Sequence, residues 1–278
     1  MIFSDLPSPA EASSQMASRA KGFAQAGNRV PLFGIMLDWL TARPIAHRGL
    51  HGPGAVENTP SAFEAAIAAG YAIETDLQIT ADGEAVVYHD AALGRLTDGS
   101  GRLAAMTAAE LARVRFKDTA DRIITFGELL DLVAGRVTLV VELKSLGDDD
   151  PRLSRRAAQV LADYAGRAAL MSFDPFLVAA VRAAAPRITR GLVAERARGR
   201  AGSGLPARIW QAADYVAHLA RARPQFLAYS VADLPALPPL FARYVLRQPL
   251  LTWTVRTDAD RAEAAKWADQ VIFEGWRA

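Results

Sequence analysis

The chain has 278 residues, 51% of them hydrophobic, which suits one large domain or two small ones with a sizeable core. It contains no cysteine, so disulfides, iron–sulfur clusters, Cys-ligated zinc and thiol nucleophiles are excluded, and any metal must sit on oxygen or imidazole ligands. The sequence pI is about 9.0, but the formal net charge is only +2, and no nucleic-acid-binding surface is expected from it.

Residues 1–35 carry Ser, Ala, Gly and Pro without sustained periodicity and read as a poorly structured N-terminal tail, with 36–278 as the folded domain. The most apolar part of this region, 30–40, is broken by Pro31, Gly34 and Asp38 and falls short of the ~20 residues of a membrane span. It runs into His47 with no small-residue cleavage site first, so no stable membrane insertion is expected and the cytoplasm is the expected location. A short apolar run over 44–46 leads into His47. Thr59-Pro60 opens a helix with a capping hydroxyl and Pro in the first turn, and Gly70 closes it as a left-handed cap. A strand over 72–80 turns at Ala81-Asp82-Gly83 into a return strand over 84–89. Residues 95–124 form a small insertion with little strand signal and a capping box at Thr107 and Glu110.

A second capping box, Thr125 with Glu128, starts a helix over 125–133, after which strand and helix alternate. Strand 137–144 and helix 151–165 precede strand 168–173; Asp174-Pro175 opens a helix that ends before Pro186, and strand 188–194 follows. A helix over 207–221, strand 226–231, helix 238–247, strand 250–255, helix 258–268 and strand 270–274 complete the chain. Eight parallel-type strands, with the second followed by a return strand, predict a closed (β/α)8 barrel. A doubly wound open sheet is the rival architecture, and it lacks its expected glycine-rich loop after the first strand. His47, Asp76, Glu142 and Ser172 all fall where strands end, which is the catalytic face of such a barrel.

Three of the four histidines lie close together in the sequence, among His47-Arg48, Glu74-Thr75-Asp76 and His89-Asp90. Side chains two apart on a strand share a face, so Glu74 and Asp76 point together, as do Glu142 and Lys144. Paired carboxylates facing a barrel interior repel unless a cation compensates, and hard oxygen donors suit Mg²⁺ or Ca²⁺ on Glu74, Asp76 and Glu142. The bland reading is an amphipathic edge strand with its charges in water; a second charged pair on an otherwise apolar strand weighs against it. Two imidazoles, His47 and His89, divide the work of an acid and a base at the two ends of a P–O bond. Arg48 supplies a forked donor for phosphate oxygens and Lys144 a compact one. Glu57, Ser172, Phe173 and Trp253 are supporting candidates: Glu57 beside the metal, the others as walls of a mouth that holds an organic phosphodiester. Taken one at a time, each residue also has a plain structural role: cap, ion pair or core packing.

These residues resemble the glycerophosphodiester phosphodiesterase family. The resemblance runs through His47-Arg48-Gly49, Glu57-Asn58-Thr59, Glu74-Thr75-Asp76-Leu77, Asp82-Gly83, His89-Asp90, Glu142-Leu143-Lys144, Met171-Ser172-Phe173 and Trp253-Thr254-Val255, over about residues 43–275. It implies a TIM barrel with a small insertion after the second strand, and metal-dependent hydrolysis of a small-molecule glycerophosphodiester to glycerol 3-phosphate and an alcohol. It also implies His47 and His89 as the acid–base pair, Glu74, Asp76 and Glu142 as metal ligands, and Arg48 and Lys144 as phosphate contacts. Two positions depart from the family pattern: Arg256 stands where Asn is frequent, and the last strand ends Ile272-Phe273-Glu274-Gly275 rather than in Thr-Asp. A lysophospholipase D-type phosphodiesterase is the alternative within the superfamily. A non-catalytic phosphoester-binding protein is the alternative outside it, and loss of a histidine or a metal carboxylate would be its mark.

Overall fold

The computed structural model describes residues 37–196 and 217–277. The tail read over 1–35, and most of the helix read over 207–221, lie outside the described residues. Among the described residues, nine strands form one sheet: β1 (Ile45–Ala46), β2 (Ala72–Ile79), β3 (Ala85–Val87), β4 (Leu139–Leu143), β5 (Ala168–Ser172), β6 (Thr189–Ala194), β7 (Phe226–Ser230), β8 (Leu250–Val255) and β9 (Gln270–Phe273). Eight of them are parallel neighbours in the order β1-β9-β8-β7-β6-β5-β4-β2, and β1 pairs with β2, so the sheet closes on itself as a (β/α)8 barrel. β3 is the return strand, antiparallel to β2 along Leu77–Ile79, beyond the stretch of β2 that pairs with β1.

Local signals explain most of the helices. Pro60–Ala68 (α1) has Pro in its first turn and is followed by Gly70 at φ +72°. Thr59, however, does not cap it: its hydroxyl donates to Val56 O at 2.7 Å, so the chain tightens the preceding turn instead. Phe126–Val133 (α2) starts with the Thr125 and Glu128 capping box, and Asp174 caps Pro175–Ala184 (α4) through Phe176 N. Arg152–Val160 (α3) and Asp258–Trp267 (α5) complete the longer helices, α5 with a capping box of Thr257 and Asp260. The segment over 238–247 is not one regular helix: Leu237–Leu240 is a short α-turn, with Pro238 and Pro239 in its first turn, that widens over Phe241–Val245 into a π-turn. Within 95–124, Leu103, Leu111, Phe116 and Ile123 form a small core of their own with Val86 and Tyr88 of the return strand.

The strand alternation sorts side chains into two layers. Ile73, Leu77, Val141 and Leu170 pack outward against α1, α2 and their neighbours through Phe63, Phe126 and Leu129. Ile45, Ala72, Val140, Ala169, Met171, Val193, Phe226 and Leu251 fill the barrel interior, with Leu37 and Leu40 packed against them. Phe226 occupies the space above Gly191, where a Cβ would stand 2.4 Å from the ring. The lower interior is thereby apolar and closed. Further along the same inward rows the residues change from Ala72 and Val140 to Glu74, Asp76, Glu142 and Lys144, and the site begins.

Candidate active site

β2 and β4 run in register, with Asp76 opposite Glu142 and Glu74 opposite Val140, so the three carboxylates project into one end of the barrel. All are buried, and Glu74, Asp76 and Glu142 each offer an oxygen within 4.8 Å of the others. Lys144 Nζ bridges Asp76 Oδ1 at 2.9 Å and Glu142 Oε1 at 2.6 Å. Burial together with repulsion from Asp76 and Glu142 pushes Glu74 well above the usual carboxylate range. Burial and Asp76 likewise raise Glu142 to about 7. Burial acts on Asp76 too, but Lys144 and Arg48 outweigh it and hold that carboxyl at about 2. The cluster therefore lacks positive charge, the condition that a hard divalent ion on oxygen ligands relieves. The donor set fits such an ion.

Arg48 is held from both sides. Its Nη1 donates to Glu57 Oε1 at 2.8 Å and its Nε lies 3.3 Å from Asp76 Oδ2, while its backbone N–H donates to Glu74 Oε2 at 3.0 Å. Nε makes no aligned hydrogen bond despite its burial, so one donor of the fork is uncommitted among the described residues. Gly49, at φ +80°, lets this turn pass close to Ala62 on α1, where a Cβ would stand only 2.9 Å from Ala62. Glu57 stands outside the carboxylate triad; it also receives Arg95 Nη2 at 2.6 Å and so braces Arg48 rather than joining the cluster.

His47 follows β1 directly. Its Nδ1 lies 2.9 Å from Glu274 Oε2, and its Nε2 4.0 Å from Glu74 Oε2. Burial holds this imidazole below its ordinary value against the opposing pull of Glu274. His89 follows the return strand, its backbone carbonyl accepting from Gln78 Nε2 at 2.8 Å and its Nδ1 lying 2.8 Å from Asp90 Oδ1. Ser172 is close by in the sequence of the barrel rim, but its hydroxyl is occupied, donating to Leu143 O at 2.7 Å and accepting from Asp174 N at 3.0 Å. Phe173 and Trp253 meet edge to face across the mouth, with ring centroids 5.4 Å apart and Phe173 45% exposed.

Several residues of this arrangement were not legible as site residues. Asn58, which reads in the sequence as a cap, donates to Asp76 Oδ2 at 2.8 Å and accepts from Thr75 Oγ1 at 2.8 Å. Its φ of +57° is one that Asn tolerates better than most residues. Asp90, Arg95, Arg256 and Glu274 complete the charge network. Asp90 sits beside His89 in the sequence, and Arg256 and Glu274 are the two positions already singled out at the ends of the last strands; Arg95 carries no local signal.

The sequence model of the Glycerophosphoryl diester phosphodiesterase family matches residues 47–275, from the first site histidine to the residue after Glu274. A glycerophosphodiester phosphodiesterase of Caldanaerobacter subterraneus subsp. tengcongensis is 33% identical over 159 residues, 54% of this chain and 65% of that one. Glycerophosphodiester phosphodiesterase 1 of Bos taurus is 44% identical over 71 residues, 25% of this chain and 21% of that one. The chain thus spans less than two thirds of the length of either relative. A phosphodiesterase of Oleispira antarctica, solved in complex with the product sn-glycerol-3-phosphate, superposes with a TM-score of 0.70 at 20% identity, covering 86% of this chain and 95% of that one.

Proposed function

Since the chain belongs to the glycerophosphoryl diester phosphodiesterase family, we propose that it hydrolyses glycerophosphodiesters to glycerol 3-phosphate and an alcohol, with a divalent ion, Mg²⁺ or Ca²⁺, on Glu74, Asp76 and Glu142. The observation that carries this reading is the buried carboxylate triad, short of positive charge and flanked by Lys144 and Arg48 at the end of the barrel where His47 also lies. The bound ion supplies positive charge to the phosphate oxygens. Arg48 and Lys144 supply fixed donors to the same group: Glu57 and Asp76 pin the guanidinium, and Asp76 and Glu142 pin the ammonium, so neither must reorganise as charge develops on phosphorus. His47, kept neutral by burial, takes at Nε2 a proton from the attacking water, whose oxygen bonds to phosphorus. His89 donates a proton to the departing alkoxide, so the P–O bond breaks to a neutral alcohol. Phe173 and Trp253 form the apolar wall beside that leaving group.

The same aromatic pair, with Phe173 45% exposed, favours a second reading, a lysophospholipase D-type cleavage in which the headgroup alcohol leaves and the acyl chain stays on the phosphate product. One assay separates the two. Purified protein is incubated with glycerophosphocholine, glycerophosphoethanolamine and lysophosphatidylcholine, with chelator or with added Mg²⁺ or Ca²⁺, and release of glycerol 3-phosphate or free choline is followed. Metal-dependent release of glycerol 3-phosphate is the expected result; turnover of lysophosphatidylcholine alone supports the second reading, and full turnover in excess chelator removes the metal from the proposal.

A further inference from the structure

His47, Glu274 and Arg256 are separated in sequence, yet barrel closure sets them side by side. β1 and β9 pair with Ala46 opposite Phe273, and His47 N donates to Phe273 O at 2.9 Å. β8 and β9 pair with Val255 opposite Phe273, and Glu274 N donates to Val255 O at 3.1 Å. The next residue of each strand is therefore Arg256, Glu274 and His47, in a row across the seam of the barrel. Their side chains are joined through one atom: Glu274 Oε2 lies 2.9 Å from His47 Nδ1 and accepts from Arg256 Nη2 at 2.8 Å. Arg256 is itself anchored, its backbone N–H donating to Asp260 Oδ2 at 3.0 Å.

Resting on the hydrolytic reading above, we propose that Glu274 is a positioning residue for His47. Its carboxylate holds the proton on Nδ1 and leaves Nε2 as the proton-accepting nitrogen turned toward the carboxylate cluster, while Arg256 fixes that carboxylate from the solvent side. A neutral imidazole without such a partner divides between two tautomers and rotates; a carboxylate on Nδ1 selects one tautomer and one ring orientation. The arrangement recurs at the other histidine, where Asp90 Oδ1 meets His89 Nδ1 at 2.8 Å and Arg95 Nε donates to Asp90 Oδ2 at 2.6 Å. An arginine-clamped carboxylate thus stands behind each imidazole. His47, His51 and Glu274 also bring donor atoms within 4.8 Å of one another, but Arg256 already supplies the positive charge at Glu274, which favours the imidazole partnership over a second cation.

The test combines kinetics with a readout that needs no turnover. Glu274→Gln should lower kcat about 10- to 100-fold with KM little changed, and Arg256→Met, whose tip is exposed, should move kcat in the same direction by less. In a His47→Ala background, measured on an activated aryl phosphodiester, Glu274→Gln should cost almost nothing further, because its effect passes through the imidazole. ¹⁵N spectra of imidazole-labelled protein should place the His47 proton on Nδ1 in the wild type and give mixed tautomers in Glu274→Ala. Unchanged kcat in Arg256→Met overturns the clamp. An equal loss from Glu274→Gln with and without His47, or an unaltered His47 tautomer in Glu274→Ala, overturns the positioning role. Wild-type protein inert toward every glycerophosphodiester would overturn the hydrolytic reading alone, since the tautomer spectra remain readable.

Discussion

Replacing Glu142 by Gln should strengthen the metal-free protein and blunt its response to metal. Burial and the neighbouring Asp76 carry the Glu142 carboxyl from 4.5 to about 7, which corresponds to about 3 kcal/mol. A carboxyl raised in the folded state favours folding most below its unfolded value, and that contribution is lost as pH rises through the folded one. At pH 8 without metal the wild type therefore bears an ionised, crowded Glu142, whereas Gln keeps the Lys144 contact through its amide oxygen and adds no charge. The variant should melt higher at pH 8 by up to about 5–10 °C and show no such gain at pH 4. Saturating metal should reverse the order. A ligand at about 1,000 times its Kd adds about 4.1 kcal/mol to the wild type, more than the variant's advantage, and the variant, short of one anionic ligand, should gain much less. The assay is a thermal melt in chelator and in a Mg²⁺ or Ca²⁺ series at both pH values. A variant that melts below wild type in chelator at pH 8 and rises equally with metal would refute the argument that this cluster is short of positive charge.

Other perturbations give independent checks. His47→Ala and His89→Ala should each lower kcat on glycerophosphocholine by about 10²–10⁴-fold; the one that removes the acid, His89 on the present reading, should recover substantially on an aryl phosphodiester whose leaving group needs no proton, and near wild-type rates for either variant would end the two-histidine scheme. Gly191→Ala drives a methyl into the Phe226 ring at the barrel floor and should cost about 1–3 kcal/mol in a denaturant titration, with no change if the ring can move aside. Glu128 is held at about 2, first by its Arg122 pair and, against burial, by the Thr125 backbone N–H of the capping box. Its contribution is present above pH 4.5 and fades as pH falls toward 2. Because the side chain is 40% exposed, Glu128→Gln should cost only about 1 kcal/mol at pH 7; a wild-type-to-variant gap that stays constant down to pH 2 counts against the pairing.

Much of the barrel was legible locally. The period-two strands over 72–80 and 137–144, the Thr-to-Glu capping boxes at 107 and 125, and Asp174-Pro175 each carry their conformation in neighbouring residues, and they form in the structure within a few positions of where they are read. The same alternation places Glu74, Asp76, Glu142 and Lys144 on one face, because an inward row in a strand is a property of spacing alone. Thr59 departs from its reading because a hydroxyl has two local partners to choose between, the helix N–H groups or the preceding carbonyl, and the packing of the 56–59 turn decides it.

What the sequence by itself determined is the strand and helix order and the chemical inventory of the site: a hard-oxygen cluster, two imidazoles, a guanidinium and an ammonium, all on residues a strand's spacing can align. The tertiary structure alone decided which of these groups hold one another. His47 and Glu274 lie 227 positions apart, Arg95 reaches Glu57 across 38, and Asn58 reaches Asp76 across 18. Such contacts have no periodic signature, because they arise only when β1 closes on β9 and the turns around 48–58 fold back over the end of the barrel.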